Sequence, residues 1–163
     1  MFLPSVFAVV FAALLVYGAL CDIRALRIPN WVSLALAGAF LPAAVVVGMG
    51  GRAIAIHYGI AILVLALLSV LFALGVLGGG DVKLFSAAAV WMGGSHLPIF
   101  ALSVALAGGG LSALILIGRA WLRAGKGCPA WLAPRLAPGG AAPYGVAIAA
   151  GGLYVLPRLF IPS

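Results

Sequence analysis

Apolar residues run along this chain in long blocks, interrupted by short clusters of glycine, proline and charge, with no sustained period-two alternation of the kind a half-buried strand requires. The blocks cover 3–20, 31–47, 53–77, 82–92, 97–117 and 142–160. A spanning helix takes roughly 20 apolar residues, so the pattern predicts an all-α polytopic membrane protein with about six transmembrane helices. The fourth block is short and is expected to borrow residues from its flanks. The length leaves room for a single membrane domain over residues 1–163 and no separate soluble one.

Composition agrees, since 66% of the residues are hydrophobic and only 7% are charged, too apolar a chain for a water-soluble fold. The net charge of +7 does not signal nucleic acid, because its nine Lys and Arg residues lie in or beside the connections and ends of the apolar blocks. Their placement reads as topology. Arg24, Arg27, Lys83, Arg119, Arg123, Lys126 and Arg135 belong to three connections on one side, against Arg52 and Arg158 on the other. The positive-inside rule then puts the three basic connections in the cytoplasm and both termini outside. The connection from Gly118 to Gly140, with its prolines, glycines and cations, is expected to be the most mobile part of the chain and to face anionic headgroups. The N-terminal block lacks the basic start of a signal peptide and is expected to be kept as the first span. Ala105, Gly109 and Ala113, four residues apart, predict a close helix contact.

Cys21 and Cys128 form no zinc-binding pattern, and neither a metal nor a cofactor is expected. The scarce acids carry more information. Asp22 and Asp81 are the only acidic residues, each where an apolar block meets the cytoplasmic interface. A carboxylate at membrane depth costs about 2.5–3.5 kcal/mol on insertion scales, which argues for a function. Simpler roles exist for each: Asp81 could cap the fourth helix, and Asp22 could pair with Arg24 or Arg27. Together they suit an aspartyl dyad, in which one ionised carboxylate takes a proton from water while its protonated partner polarises the scissile carbonyl. A dyad requires both to reach one shared water, with the first and fourth helices adjacent at their cytoplasmic ends. Three glycines precede the second acid in Gly78-Gly79-Gly80-Asp81, and should break the helix and let an extended substrate approach.

Gly78, Gly80 and Asp81 match the G-x-G-D signature of intramembrane aspartic proteases, the group containing presenilins and the prepilin and preflagellin peptidases. The segment from Asp22 through Arg24, Arg27, Ile28, Pro29 and Asn30 resembles the bacterial prepilin peptidase motif of an aspartate followed by basic residues and Ile-Pro-Asn. Lys83-Leu84, and Pro143-Tyr144-Gly145 opening the last block, are similar to that family as well. The resemblance implies a catalytic pair Asp22 and Asp81, in a membrane aspartic endopeptidase of the bacterial inner membrane. Its substrate would be a prepilin or pseudopilin precursor, cut at the cytoplasmic face between a basic leader and an apolar helix. The chain resembles the short, peptidase-only form of tight-adherence (Flp-type) pilus systems, so N-methyltransferase activity is not expected.

Pro29 is expected to open the second helix, and Asn30 to bond locally. Lys83 could act on Asp81, bind an acidic substrate residue, or snorkel to the interface. His57 and His96 fall on the opposite side, away from chemistry. A small proton-coupled transporter or channel is the competing reading of two membrane carboxylates, with no polar pathway across the blocks to support it.

Overall fold

The computed structural model describes residues 2–124, 127 and 142–160. It is all-α. The helices are α1 (Phe2–Ala25), α2 (Asn30–Val46), α3 (Gly51–Ala73), α4 (Gly79–Arg123) and α5 (Tyr144–Phe160). Three have the length and hydropathy to cross a bilayer: α1 over Ser5–Ala25, α3, and α4. The other two are apolar but only 17 residues long, at the lower limit of about 17 for a span. The expected six spans are therefore met in three helices by length, with α2 and α5 marginal.

The 45-residue α4 is not one rod. Gly93 interrupts it at φ 55° and ψ −164°, a backbone region that is essentially glycine-only. The chain reverses there. Phe85 and Phe100 pack with ring centroids 4.7 Å apart, whereas a straight helix would separate residues fifteen positions apart by about 22 Å. Arms 79–92 and 94–123 thus run antiparallel, and they hold the expected fourth and fifth blocks. His57 of α3 secures the turn. Its Nδ1–H donates to the Val90 carbonyl at 2.7 Å, and its ring stacks on Phe40 at 5.0 Å.

A Cβ on Gly93 would lie 2.5 Å from the His57 imidazole and would also force a side chain into positive φ. Gly93→Ala should therefore lower stability by about 2–4 kcal/mol in a thermal melt of the detergent-solubilised protein. Gly94→Ala, whose added methyl would meet only Ile60 at 3.5 Å, should melt close to the wild type and serves as the control.

The interior is built from large apolar side chains that fill gaps between small ones. Phe11, Leu15, Leu36, Leu84, Phe100 and Ile148 are fully buried, together with the run Ala87, Ala88 and Ala89. Helix α5 is seated most closely. A Cβ on Gly151 would stand 2.9 Å from the Val104 backbone nitrogen, and one on Gly152 would meet Leu15 of α1. Small residues permit this approach where no hydrophobic effect drives helices together. The stripe expected to serve it does not. Ala105 and Ala113 are exposed and Gly109 has open space, while Val104 and Gly108 on the neighbouring face make the contacts to α5. On the outer surface α3 presents Ile62, Leu63, Leu67 and Val70, the apolar face that a bilayer, rather than water, would cover.

Helix ends depart from the apolar blocks, because helical hydrogen bonding continues past the point where hydropathy falls. Helix α1 runs to Ala25, beyond Asp22, and α3 stops at Ala73. Gly79 and Gly80 belong to the first turn of α4, so only Gly78 of the glycine run stands outside the helix, as its N-cap. Residues 118–123 extend α4 and do not begin a loop. The remainder of the connection expected to be mobile lies almost entirely outside the described residues, as does Cys128.

Candidate active site

Asp22 lies in the last turn of α1, which ends as Leu26 donates its amide to the Asp22 carbonyl at 2.9 Å. Leu26 takes φ 51°, a left-handed conformation that costs a non-glycine residue roughly 1–2 kcal/mol. The Asp22 side chain is 6% exposed. Its Oδ2 accepts the backbone N–H of Gly145 at 2.7 Å. That amide is in the first turn of α5, where helix N–H groups have no partner of their own and face anions. Pro143, which donates no amide, precedes the helix and leaves the next N–H groups to serve the carboxylate. No ion pair links Asp22 to Arg24 or Arg27 among the described residues, and both arginines are exposed.

Asp81 is the third residue of α4. Its carboxylate reaches back to the Gly78 backbone amide, which is how a capping-box residue satisfies the start of a helix. Glycine suits that cap, since a Cβ on Gly78 would fall 2.7 Å from Asp81 Oδ2 and push the carboxylate aside. Capping occupies only part of the group. Asp81 Oδ1 is buried and has no hydrogen-bond partner among the described residues, an arrangement that costs stability unless something else uses the oxygen.

The two aspartates line one cavity of about 640 Å³, with Leu26, Gly78, Ser112 and Tyr144 also in its wall. Helices α1 and α4 meet below it, where Leu84 packs on Gly18 and Phe11 contacts Trp91 with ring centroids 5.2 Å apart. Ile28 joins the pieces. Its side chain lies 3.3 Å from where a Gly80 Cβ would be and 3.1 Å from where one on Gly145 would be, so both glycines admit the same buried isoleucine between the starts of α4 and α5. Tyr144 in turn leans on Gly108, whose Cβ would sit 2.6 Å from the phenol oxygen.

The motif residues Pro29, Asn30 and Lys83 are not among the residues lining the cavity of the two aspartates, and Lys83 lines another, of about 220 Å³, with Ser33 and Tyr58. Pro29 is the N-cap of α2, at φ −61° and ψ 137°, not its first helical residue. Asn30 opens that helix, and its bond is not local: Lys83 Nζ donates to Asn30 Oδ1 at 3.0 Å across the exposed surface. Lys83 thereby ties the start of α2 to the start of α4. His57 and His96 line a separate cavity of about 270 Å³ with Phe40 and Trp91. Cys21, beside Asp22 in the chain, is a half-buried free thiol.

Reasoning from sequence missed Ile28 as a packing residue, Ser112 as a wall residue and the Gly145 amide as a ligand of Asp22. Ser112 was open to notice as a polar residue in an apolar arm. The other two depend on contacts across long stretches of chain that no local pattern encodes.

Residues 9–113 match the model of the type IV leader peptidase family, 105 of the 163 positions and a segment that holds both aspartates and the glycine run. The chain belongs to the type IV leader peptidase family. It is accordingly a membrane peptidase, and the cavity at Asp22 and Asp81 is the candidate centre of that activity. Pro143, Tyr144 and Gly145 lie beyond the matched segment, yet the fold returns them to the site. Comparison with curated proteins and with solved structures returned no match.

Proposed function

We propose that this leader peptidase is an aspartic endopeptidase in which Asp22 and Asp81 direct water onto the scissile peptide of a pilin-like precursor. One observation carries the reading: the only two acidic side chains in the chain, 59 positions apart, line a single cavity. Their bonding suggests a division of roles. Asp22 Oδ2 accepts a short amide bond and suits the ionised base, because an ionised carboxylate is acceptor-only. Asp81 Oδ1 has no donor to lose, so a proton placed there can be donated to the substrate carbonyl.

In the first step the water oxygen bonds to the carbonyl carbon, its proton passes to Asp22, and the Asp81 proton moves to the carbonyl oxygen. The resulting gem-diol collapses as its C–N bond breaks, a hydroxyl proton returns to Asp81 and the Asp22 proton goes to the leaving nitrogen. Both carboxyls regain their starting states. Holding the reactants at one place is worth several kcal/mol of the barrier.

The precursor class comes from the family, and its members would present a basic leader in the aqueous phase and an apolar helix in the bilayer. The cation distribution supports an active site facing the cytoplasm, with both termini outside the inner membrane. A proton-conducting transporter finds less support, since both acids lie at one end of the helices.

The test is cleavage of a candidate precursor by the purified protein in liposomes, with mass spectrometry of the fragments. One cut, at the junction of the leader and apolar helix, is expected. An intact precursor, together with proton flux across the vesicles, would replace this reading by the transporter.

A further inference from the structure

A second cavity, of about 270 Å³, continues from the catalytic one, and Val76, Leu77, Asp81 and Tyr144 line both. Its walls repeat at helical spacing. Asp81 is succeeded one turn deeper by Phe85, and Tyr144 by Ile148; on the far side Leu71 and Leu68 of α3 face Ala105 and Ala101 of the second arm of α4. Each helix thus supplies one residue near the depth of Asp81 and another about 6 Å further along, a single turn. Asp81 apart, the walls are apolar except for the Tyr144 hydroxyl. The cavity is open at its side, where Ala105 is exposed, and Ala101 and Ala105 set its width because they are the smallest residues in it.

Resting on the peptidase reading, we propose that this groove receives the apolar side chains of the first helical turn after the scissile bond, and so selects precursors by the residues on that side of the cut. Continuity with the catalytic cavity identifies the occupant. A peptide crossing between Asp22 and Asp81 has the catalytic cavity, with the polar Asp22 and Ser112 in its wall, on one side and this apolar channel on the other. A basic leader matches neither the channel's lining nor its position, whereas an apolar helix matches both. The volume holds side chains of one turn, not a complete helix, whose outer face would stay in lipid. The groove is therefore a specificity element: it discriminates by side-chain size at a few positions.

The experiment compares two substrates. One is a full precursor in liposomes; the other is a soluble peptide with the same leader and scissile bond that stops before the apolar helix. Ala101→Leu and Ala105→Leu, which narrow the groove, should raise KM for the full precursor by about tenfold or more, since small changes in an apolar pocket discriminate on that scale. Cleavage of the soluble peptide should be unchanged, which also shows that the variants are folded. Leu71→Ala, which widens the groove, should improve cleavage of a precursor bearing a bulkier side chain in its first turn. If both leucine variants cut the full precursor with wild-type KM, the groove holds only lipid and the proposal is wrong. Equal losses on both substrates would also overturn it, by locating the damage in the catalytic cavity. If the unsubstituted protein cuts neither substrate, the peptidase reading itself falls, and the groove proposal with it.

Discussion

Asp22→Asn and Asp81→Asn should each reduce precursor cleavage by at least about a thousandfold, the scale on which removing one member of a catalytic unit acts. The fold should survive both changes. Asparagine has nearly the shape of aspartate, and its carbonyl oxygen can still accept the Gly145 amide in one case and the Gly78 amide in the other. It cannot take a proton from water or deliver one to a carbonyl. The simpler roles make the opposite prediction: asparagine caps a helix about as well as aspartate, so a capping Asp81 would tolerate the change. The assay uses purified variants with matched melting curves, mixed with a precursor and scored for the shortened product. Wild-type processing by both single variants would end the dyad account and leave the unpartnered Asp81 Oδ1 without a role.

What the sequence discloses and what it hides differ in physical kind. Hydropathy blocks locate the helices because apolar length is a local property, but they misplace the ends, as at α1, where the helix continues through the polar Asp22 to Ala25. The Gly93-Gly94 pair marks a break between two blocks; only the structure shows Gly93 in a glycine-only conformation and the two arms folded against each other. Asp22 and Asp81 stand out by scarcity, a global count that needs no coordinates. Their support does not. Ile28 and Gly145 are marked by resemblance to motif segments, but neither segment says that the two residues meet each other and Asp22, which shows only when α5 is brought against α1. The stripe of Ala105, Gly109 and Ala113 shows the converse error, a correct periodicity assigned to the wrong face, because spacing identifies a face without saying what covers it.

Gly145 carries the second large expected effect, and a graded one. A Cβ there would lie 3.0 Å from Asp22 Oδ2, 3.1 Å from Asp22 Cβ and 3.1 Å from Ile28 Cδ1. Gly145→Ala thus asks three atoms of two neighbouring side chains to move by a few tenths of an ångström, and Ile28, wedged also against Gly80, has little room to yield. The methyl group would push the carboxylate off the amide that orients it, and sub-ångström to one-ångström displacement of a catalytic group costs up to about a hundredfold in rate. We expect Gly145→Ala to lower kcat by about tenfold and Gly145→Val, with two further methyl groups, by at least about a hundredfold. KM should change little in either case, because the apolar groove beyond Asp81 is not touched. Gly145 does not take part in the chemistry, so the loss must act through Asp22. In Gly145→Val, the substitution Asp22→Asn should then add much less than it does in the wild type, since two changes that disable the same group are not additive. Full activity in Gly145→Val, at unchanged melting temperature, would mean that the Gly145 amide does not position Asp22 during the reaction.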